Sequence, residues 1–524
     1  MKVSVIGTGY VGLVTGATLA DLGNQVVCLD ILEEKINLLN SGKSPIFEPG
    51  LEELIKKGIK TKNLIGSIEI EQHVRNSDIT FICVGTPSDK DGNIDLSYIK
   101  SASSTIGRAL RDKNGEHTVV VKSTVVPLTT EDVVMPNILK KSGWKREKLG
   151  IGMNPEFLRE GSAIHDAQNP DRIVIGYADE IAKKTLNDLY EPYKCTKLEC
   201  IPRTAELIKY ASNSFLAAKI SFVNEIANMS NIWGIDFQEV AEGMGLDSRI
   251  SAEFLRAGAG FGGSCFPKDV KALAAAAKNS NVESLMLKAT LEVNDIQPKI
   301  IVKMAEERLG IIKGKKISIL GLAFKPDTDD VRESRSEIVI KELIEKGAEV
   351  TAHDPEGMAN FKEIIDIPMM PTPELATEKA DCVIIMTEWN IYKNLDLRSL
   401  LERMNGNVLI DGRRTLNAKE VEKAGVRIGS PIVFSPNSFE IGQDRVAGTS
   451  VDDRAGCAVV LEIARYLSTR IKGPPVHLVF TVQEEYNLRG ALPIAQKLLP
   501  DIAIQLDLIM ATDTPDMKER GKVI

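Results

Sequence analysis

Short β-branched runs alternate with amphipathic stretches through the first two hundred residues. The runs fall at 2–6, 25–29, 79–84, 118–122, 150–153 and 172–176. Strands alternating with helix-period segments predict a mainly parallel, doubly wound α/β sheet. From Thr204 to Gly234 the pattern becomes one long helical period with few breakers. More helical sequence follows to about Leu309, interrupted by the glycine-rich stretch from Gly258 to Gly263. Near Lys313-Gly314-Lys315-Lys316 the alternation restarts, with strands expected at 317–320, 349–352, 382–386 and 408–410. The pattern thus predicts two doubly wound α/β domains, 1–200 and 311–430, joined by a long central helix and helical region at 201–310. A partial α/β segment, 431–524, follows a junction at 429–436.

Size and composition agree. A chain of 524 residues is too long for one ordinary domain and predicts three or four. Apolar residues at 43% with 26% charged argue against disorder. A net charge of −8 argues against a nucleic-acid-binding surface. No apolar run approaches the ~20 residues a membrane span needs. Met1 leads straight into Val3-Ser4-Val5-Ile6 without a basic n-region, so no leader is expected and the cytoplasm is the expected compartment. The seven cysteines are scattered and lack CxxC spacing, which argues against a disulfide framework or a cysteine zinc site. Six read as small core hydrophobes. Cys265 does not.

Gly7-Thr8-Gly9-Tyr10-Val11-Gly12 follows the first strand and opens a helix. Gly7 allows a tight turn, Gly9 lets backbone approach a pyrophosphate, and Gly12 lets helix pack closely on strand. The helix N-terminus offers unpaired N–H groups to the phosphates. The second strand ends at Asp30, where a carboxylate can accept from a ribose diol. A 2′-phosphate would meet like charge there, so NAD is expected rather than NADP, on a Rossmann-like domain. The second α/β domain runs from its first strand into Gly321-Leu322-Ala323-Phe324-Lys325, without the glycine triad but with a cation. That suits a nucleoside diphosphate other than a dinucleotide.

Phe261-Gly262-Gly263-Ser264-Cys265-Phe266-Pro267-Lys268-Asp269 reads as a glycine turn delivering a cysteine to a helix start. A thiol at a helix N-terminus beside Lys268 is expected to have a depressed pKa and to act as a nucleophile. Lys209 and Asn213, four apart on the long helix, share a face and can both donate to an oxyanion. Asn154-Pro155-Glu156-Phe157-Leu158-Arg159-Glu160-Gly161 supplies two carboxylates just past a strand end. Together these describe covalent catalysis on a carbonyl with a hydride acceptor nearby.

From Met1 to about Ile428 the chain resembles the UDP-glucose/GDP-mannose dehydrogenase family. The matching segments, in order, are the glycine fingerprint, Pro45-Ile46-Phe47-Glu48-Pro49-Gly50, Val84-Gly85-Thr86-Pro87, Lys122-Ser123-Thr124 and the stretch from Asn154 to Gly161. Ala205-Glu206-Leu207-Ile208-Lys209-Tyr210-Ala211-Ser212-Asn213, the glycine–cysteine turn and the run from Gly321 to Ser334 complete the series. The resemblance implies two successive NAD-dependent oxidations of a UDP-sugar. An alcohol becomes an aldehyde, Cys265 traps it as a thiohemiacetal, a second hydride leaves a thioester, and water releases the acid. It implies that Lys209 and Asn213 serve the oxyanion, that Asp269 with Thr124 positions water, and that Glu160 serves thioester hydrolysis with Glu156 as a further participant. It matches Val11, Asp30, Lys35, Thr86, Thr124, Glu160 and Lys268 to cofactor contacts beside Gly7, Gly9 and Gly12, with Arg332 reaching over from the second α/β domain. It matches Glu156, Phe157, Leu158, Arg159, Glu160, Lys209, Phe254, Leu255, Arg256, Ala257, Gly258, Gly262 and Lys325 to substrate contacts. A homodimer through the central helix is also expected. Phe266 after the cysteine resembles the UDP-glucose branch, with GDP-mannose and UDP-N-acetylhexosamine as alternatives. The sequence departs at Leu128, where the family often has Gly, and at Arg414, where it often has Asn; Leu128 bears on the loop carrying Thr124.

Residues from about 433 resemble the glutamyl/deblocking metallo-aminopeptidase family. Asp452, Glu484, Glu485 and Asp507 match a bridging ligand, a general base and two ligands there. That family also uses histidines, and His477 stands at no matching position. The chain stops where more peptidase sequence is expected, so the tail is expected to be partial, inactive and without metal.

Overall fold

The computed structural model describes residues 1–90 and 92–416 together with the short strands 438–441 and 445–448. The chain divides into two units, Met1–Gly429 and Ser430–Ile524. In the first, eight strands form one sheet: β1 (Lys2–Ile6), β2 (Gln25–Leu29), β3 (Leu64–Ser67), β4 (Ile79–Ile82), β5 (His117–Val121), β6 (Leu149–Met153), β7 (Arg172–Tyr177) and β8 (Thr196–Cys200). Their order is β3-β2-β1-β4-β5-β6-β7-β8. Every pairing is parallel except β6 with β7. Residues such as Val3, Val5, Phe81, Val119 and Val121 are fully buried, as expected of strands covered by helices on both faces. The edge strands β3 and β8 escaped the sequence reading. They are short, polar and half exposed, so no apolar run marks them.

The long helix starts at Pro202, two residues earlier than its period suggested, because proline suits the first helical turn. Four helices matter for the site in this region and beyond: α1 (Tyr10–Asp21), α2 (Glu33–Asn40), α3 (Pro202–Trp233) and α4 (Phe266–Asn279). A further helix, α5 (Leu285–Leu309), packs against α3 and α4 and also against α6 (Arg335–Glu345). The second sheet joins β9 (Lys316–Leu320), β10 (Glu349–His353), β11 (Cys382–Ile385) and β12 (Val408–Asp411) in the order β10-β9-β11-β12, all parallel. Both sheets therefore change direction beside their first strand, the place where open α/β sheets hold ligands.

In the second unit Ser438–Ile441 pairs antiparallel with Arg445–Gly448. Asp452, His477, Glu484, Glu485 and Asp507 lie outside the described residues. Among the described residues no helix is long and apolar enough to cross a membrane.

Candidate active site

The turn after β1 does what its glycines suggested. Gly7 sits at φ +101°, and a Cβ there would lie 2.6 Å from the Cys83 carbonyl oxygen. A Cβ on Gly12 would come within 1.9 Å of the Gly7 carbonyl oxygen, so only glycine lets α1 pack this closely. A Cβ on Gly9 would meet nothing within 4 Å among the described residues, leaving its face open to a pyrophosphate. No side chain caps α1, whose first turn keeps its N–H groups for an anion. Asp30 ends the neighbouring strand and accepts from Thr8 N–H at 2.8 Å and Thr8 Oγ1 at 2.6 Å. Partial burial pushes its carboxyl up, but Thr8, the Leu32 N–H and Lys35 outweigh that and hold it below the usual carboxylate range. Lys35 lies on α2, and Thr86 donates to the Thr124 carbonyl at 2.9 Å, joining the ends of β4 and β5. These features fit NAD.

A cleft of about 700 Å³ opens between this sheet, the central helices and the second α/β region. Cys265 stands at its floor, immediately before α4. Its side chain is accessible from the cleft, yet protein crowds it on most other sides. The expected depression of its pKa is overturned. Burial pushes the thiol up to about 11, Glu156 and Asp269 push the same way, and Lys209 only partly opposes them. Lys268, the neighbour that motivated the expectation, spends its charge on Asp269 at 2.6 Å.

Lys209 and Asn213 face the cleft together, as their spacing predicted, and each has one partner in place, leaving further N–H groups to donate. Lys209 Nζ pairs with Glu156 at 3.0 Å, both side chains being buried. Burial opposes its charge, while Glu156, Cys265 and Asp269 more than offset this and hold the ammonium above the usual lysine range. Glu156 in turn is pushed up by burial but brought below the usual range by Lys209, the Leu158 N–H and Lys122. Asn213 Nδ2 donates to Asp269 at 2.7 Å. Among the described residues no direct hydrogen bond joins Asp269 to Thr124, and a pair that positions water between them requires none.

Glu160 is the meeting point of three regions. Its Oε1 accepts from Ser264 Oγ at 3.2 Å and lies 3.8 Å from Arg332, while Lys325 donates to its backbone carbonyl. Burial and Asp330 push its carboxyl up to about 7, with Arg332, Lys325 and Ser264 pulling the other way. Arg332 also accepts the Gly263 N–H through its carbonyl at 2.9 Å, so the second α/β region reaches the cysteine turn as expected. A Cβ on Gly262 would lie 2.4 Å from the Glu333 carbonyl oxygen, which makes glycine obligatory there.

The remaining predicted contacts divide. Phe157 stacks under the Arg172 guanidinium at 4.1 Å and lies 5.4 Å from Lys209 Nζ. Arg159 pairs with Asp166 at 2.7 Å, and Phe254 packs 6.2 Å from the Phe266 ring. Residues 255–258 do not line the cleft. Leu255 and Ala257 point into a small core with Val223 and Phe237, Arg256 is exposed, and Gly258 donates to Asn224 at 2.7 Å beside Arg413. Val11 lies on α1, part-buried against the first core.

Three residues that the sequence reading left without a role support the site. Glu48 is buried, takes the Tyr10 hydroxyl, and accepts the Gly161 and Ala163 N–H groups at 2.7 Å each. It therefore pins the loop bearing Glu160 to the cofactor turn. Lys122 donates to Asn154 at 2.7 Å beneath Glu156. Glu206 on α3 accepts the Leu128 N–H at 2.7 Å and the Thr130 N–H at 2.8 Å. Leu128 has φ +80°, a left-handed conformation that leucine disfavours, so this departure from the family carries strain. Arg414 sits 5.1 Å from the Phe237 ring, away from the cleft.

Residues 1–194 match the NAD binding domain of the UDP-glucose/GDP-mannose dehydrogenase family, 203–296 its central domain and 318–418 its UDP binding domain. Residues 374–524 also match the M42 glutamyl aminopeptidase family. The UDP-glucose 6-dehydrogenase TuaD of Bacillus subtilis is 42% identical over 455 residues, 86% of this chain and 95% of that protein. The UDP-glucose 6-dehydrogenase AglM of Haloferax volcanii is 42% identical over 428 residues, 80% of this chain and 98% of that protein. A solved UDP-glucose dehydrogenase from the hyperthermophilic archaeon Pyrobaculum islandicum superposes with TM-score 0.76 at 43% identity, covering 79% of this chain and 96% of its own. With three family domains in order around one cleft, the chain belongs to the UDP-glucose/GDP-mannose dehydrogenase family.

Proposed function

We propose that the chain oxidises UDP-glucose to UDP-glucuronate in two NAD-dependent steps, with Cys265 as the covalent nucleophile. The observation carrying this is an accessible thiol, Cys265, in a cleft lined by the loop after β6, by Lys209 and Asn213 of α3 and by Phe324 and Lys325 of the second α/β region. NAD, when bound, accepts the hydride in each step. Cys265 Sγ adds to the aldehyde carbon, and the Lys209 ammonium, beside it and held charged by Glu156, donates to the oxygen that gains the electron pair. Because the thiol is held high, its proton leaves as the carbon–sulphur bond forms. Asn213 fixes Asp269, and the carboxyl of Glu160, poised near neutrality, serves the water that opens the thioester.

The proposed homodimer rests on α3, where Leu207, Phe215, Phe222 and Met229 are exposed at near-heptad spacing. A cytoplasmic location is supported by six unpaired cysteines among the described residues. The tail is proposed to take no part, since every residue assigned a role lies upstream of 416.

The experiment is an NADH count per mole of UDP-glucose, with GDP-mannose and UDP-N-acetylhexosamines in parallel. Two NADH per UDP-glucose are expected. One NADH would end the thioester reading, and faster turnover of another sugar would reassign the substrate.

A further inference from the structure

The turn before the nucleophile carries a hydroxyl that none of these steps uses. Ser264 Oγ stands 3.2 Å from Glu160 Oε1 and 3.6 Å from Cys265 Sγ. It therefore touches both the sulphur that must lose a proton and a carboxyl able to take it. The other candidate bases are committed: Glu156 to Lys209, and Asp269 to Asn213 and Lys268. Glu160 keeps spare capacity, because its buried Oε2 has no hydrogen-bond partner. We infer that Ser264 is a catalytic residue that relays a proton between Cys265 and Glu160. This rests on the reading of Cys265 as nucleophile.

As sulphur bonds to the aldehyde carbon, its proton passes to Ser264 Oγ while the Ser264 hydroxyl proton passes to Glu160 Oε1. The carbonyl electron pair moves onto oxygen at Lys209. During hydrolysis a water oxygen bonds the acyl carbon and the carbon–sulphur bond breaks with its electron pair returning to sulphur. The proton taken up in the first step has by then left Glu160 to solvent, so the carboxylate takes one proton of the water and returns it through Ser264 to sulphur. The carboxyl sits up to about 7 and the thiol up to about 11, so transfer is uphill until the new bond forms. A concerted relay meets that requirement.

The test follows iodoacetamide alkylation of Cys265 in the full chain by peptide mass spectrometry, from neutral to alkaline pH. Ser264→Ala should slow alkylation at neutral pH by about tenfold and match the unsubstituted protein once the thiolate forms unaided. Glu160→Gln should slow it equally, and the double variant should lose no more. With UDP-glucose, Ser264→Ala should lower kcat by about a hundredfold while leaving both KM values in place. Ser264→Thr, which keeps a hydroxyl, should recover most of it. Alkylation of Ser264→Ala with unchanged pH dependence, or losses that multiply in the double variant, would overturn the relay. If the unsubstituted protein makes no NADH from UDP-glucose, the proposed function fails, and the alkylation measurement still judges the relay.

Discussion

In the first sheet Asp30 ends β2 and reaches back to the turn after β1; in the second, Asp354 follows β10 and reaches back to the turn after β9. Both carboxylates accept backbone N–H groups from a turn that begins with a positive-φ glycine, Gly7 or Gly321. Their surroundings differ. Asp30 is half-buried, takes donors among the described residues only from Thr8 and Leu32, and keeps a face toward solvent. Asp354 is fully buried and takes five donors: the N–H groups of Leu322, Ala323, Glu356 and Gly357 and the Trp389 indole. One carboxylate can serve a ligand, whereas the other is saturated by its own fold. The helices differ too. In the first sheet α1 starts at Tyr10, directly beneath the turn. In the second, α6 starts only at Arg335, and the intervening loop carries Lys325 and Arg332 to Glu160. The same strand–turn–acid device thus gives a ligand cradle in one place and a rigid bracket with a long reaching loop in the other.

Substitution of the two acids tests this most sharply. Asp354→Ala should destabilise the protein by about 3–5 kcal/mol, because it orphans five donors, four of them buried. Chemical denaturation reads this, and a loss below about 1 kcal/mol would end the bracket interpretation. Asp30→Ala should leave stability nearly intact while the NAD over NADP preference falls by about tenfold or more, one charged hydrogen bond being about 1.5–3 kcal/mol. An unchanged ratio of kcat/KM values would show that Asp30 does not face the ribose. Glycines divide in the same way, with a smaller effect. Gly9 has φ −78° and open space around it, so Gly9→Ala should fold normally and raise the KM for NAD severalfold. A lowered Tm with unchanged KM would count against the cradle.

Much of this was legible in the chain. Buried β-branched runs marked ten of the twelve strands in the two sheets, and the glycine triad announced the cofactor turn before any geometry was known. The edge strands β3 and β8 were not, since half-exposed strands carry no apolar run. The thiol of Cys265 departs from its expected acidity for a related reason. Local sequence displays Lys268 beside it, but only the folded chain brings Glu156 from after β6 and turns Lys268 toward Asp269. Ser264 had no signal beyond its place next to the cysteine. The resemblance implies substrate contacts at residues 255–258, and the fold adds that the Leu255 and Ala257 side chains pack into a small core.

Leu128 has a consequence for how this protein can change. A leucine at φ +80° costs about 1–2 kcal/mol relative to glycine, part of which glycine gives back through its freer unfolded chain. Leu128→Gly should therefore raise stability by about 0.5–1 kcal/mol, visible as a higher Tm, and a lower Tm would show that the leucine side chain contributes more than its backbone costs. The loop is held in the meantime by Glu206, a residue on another helix. The lineage thus carries an unused margin of tolerance: one substitution in a surface loop could absorb a later, mildly harmful change anywhere in the fold.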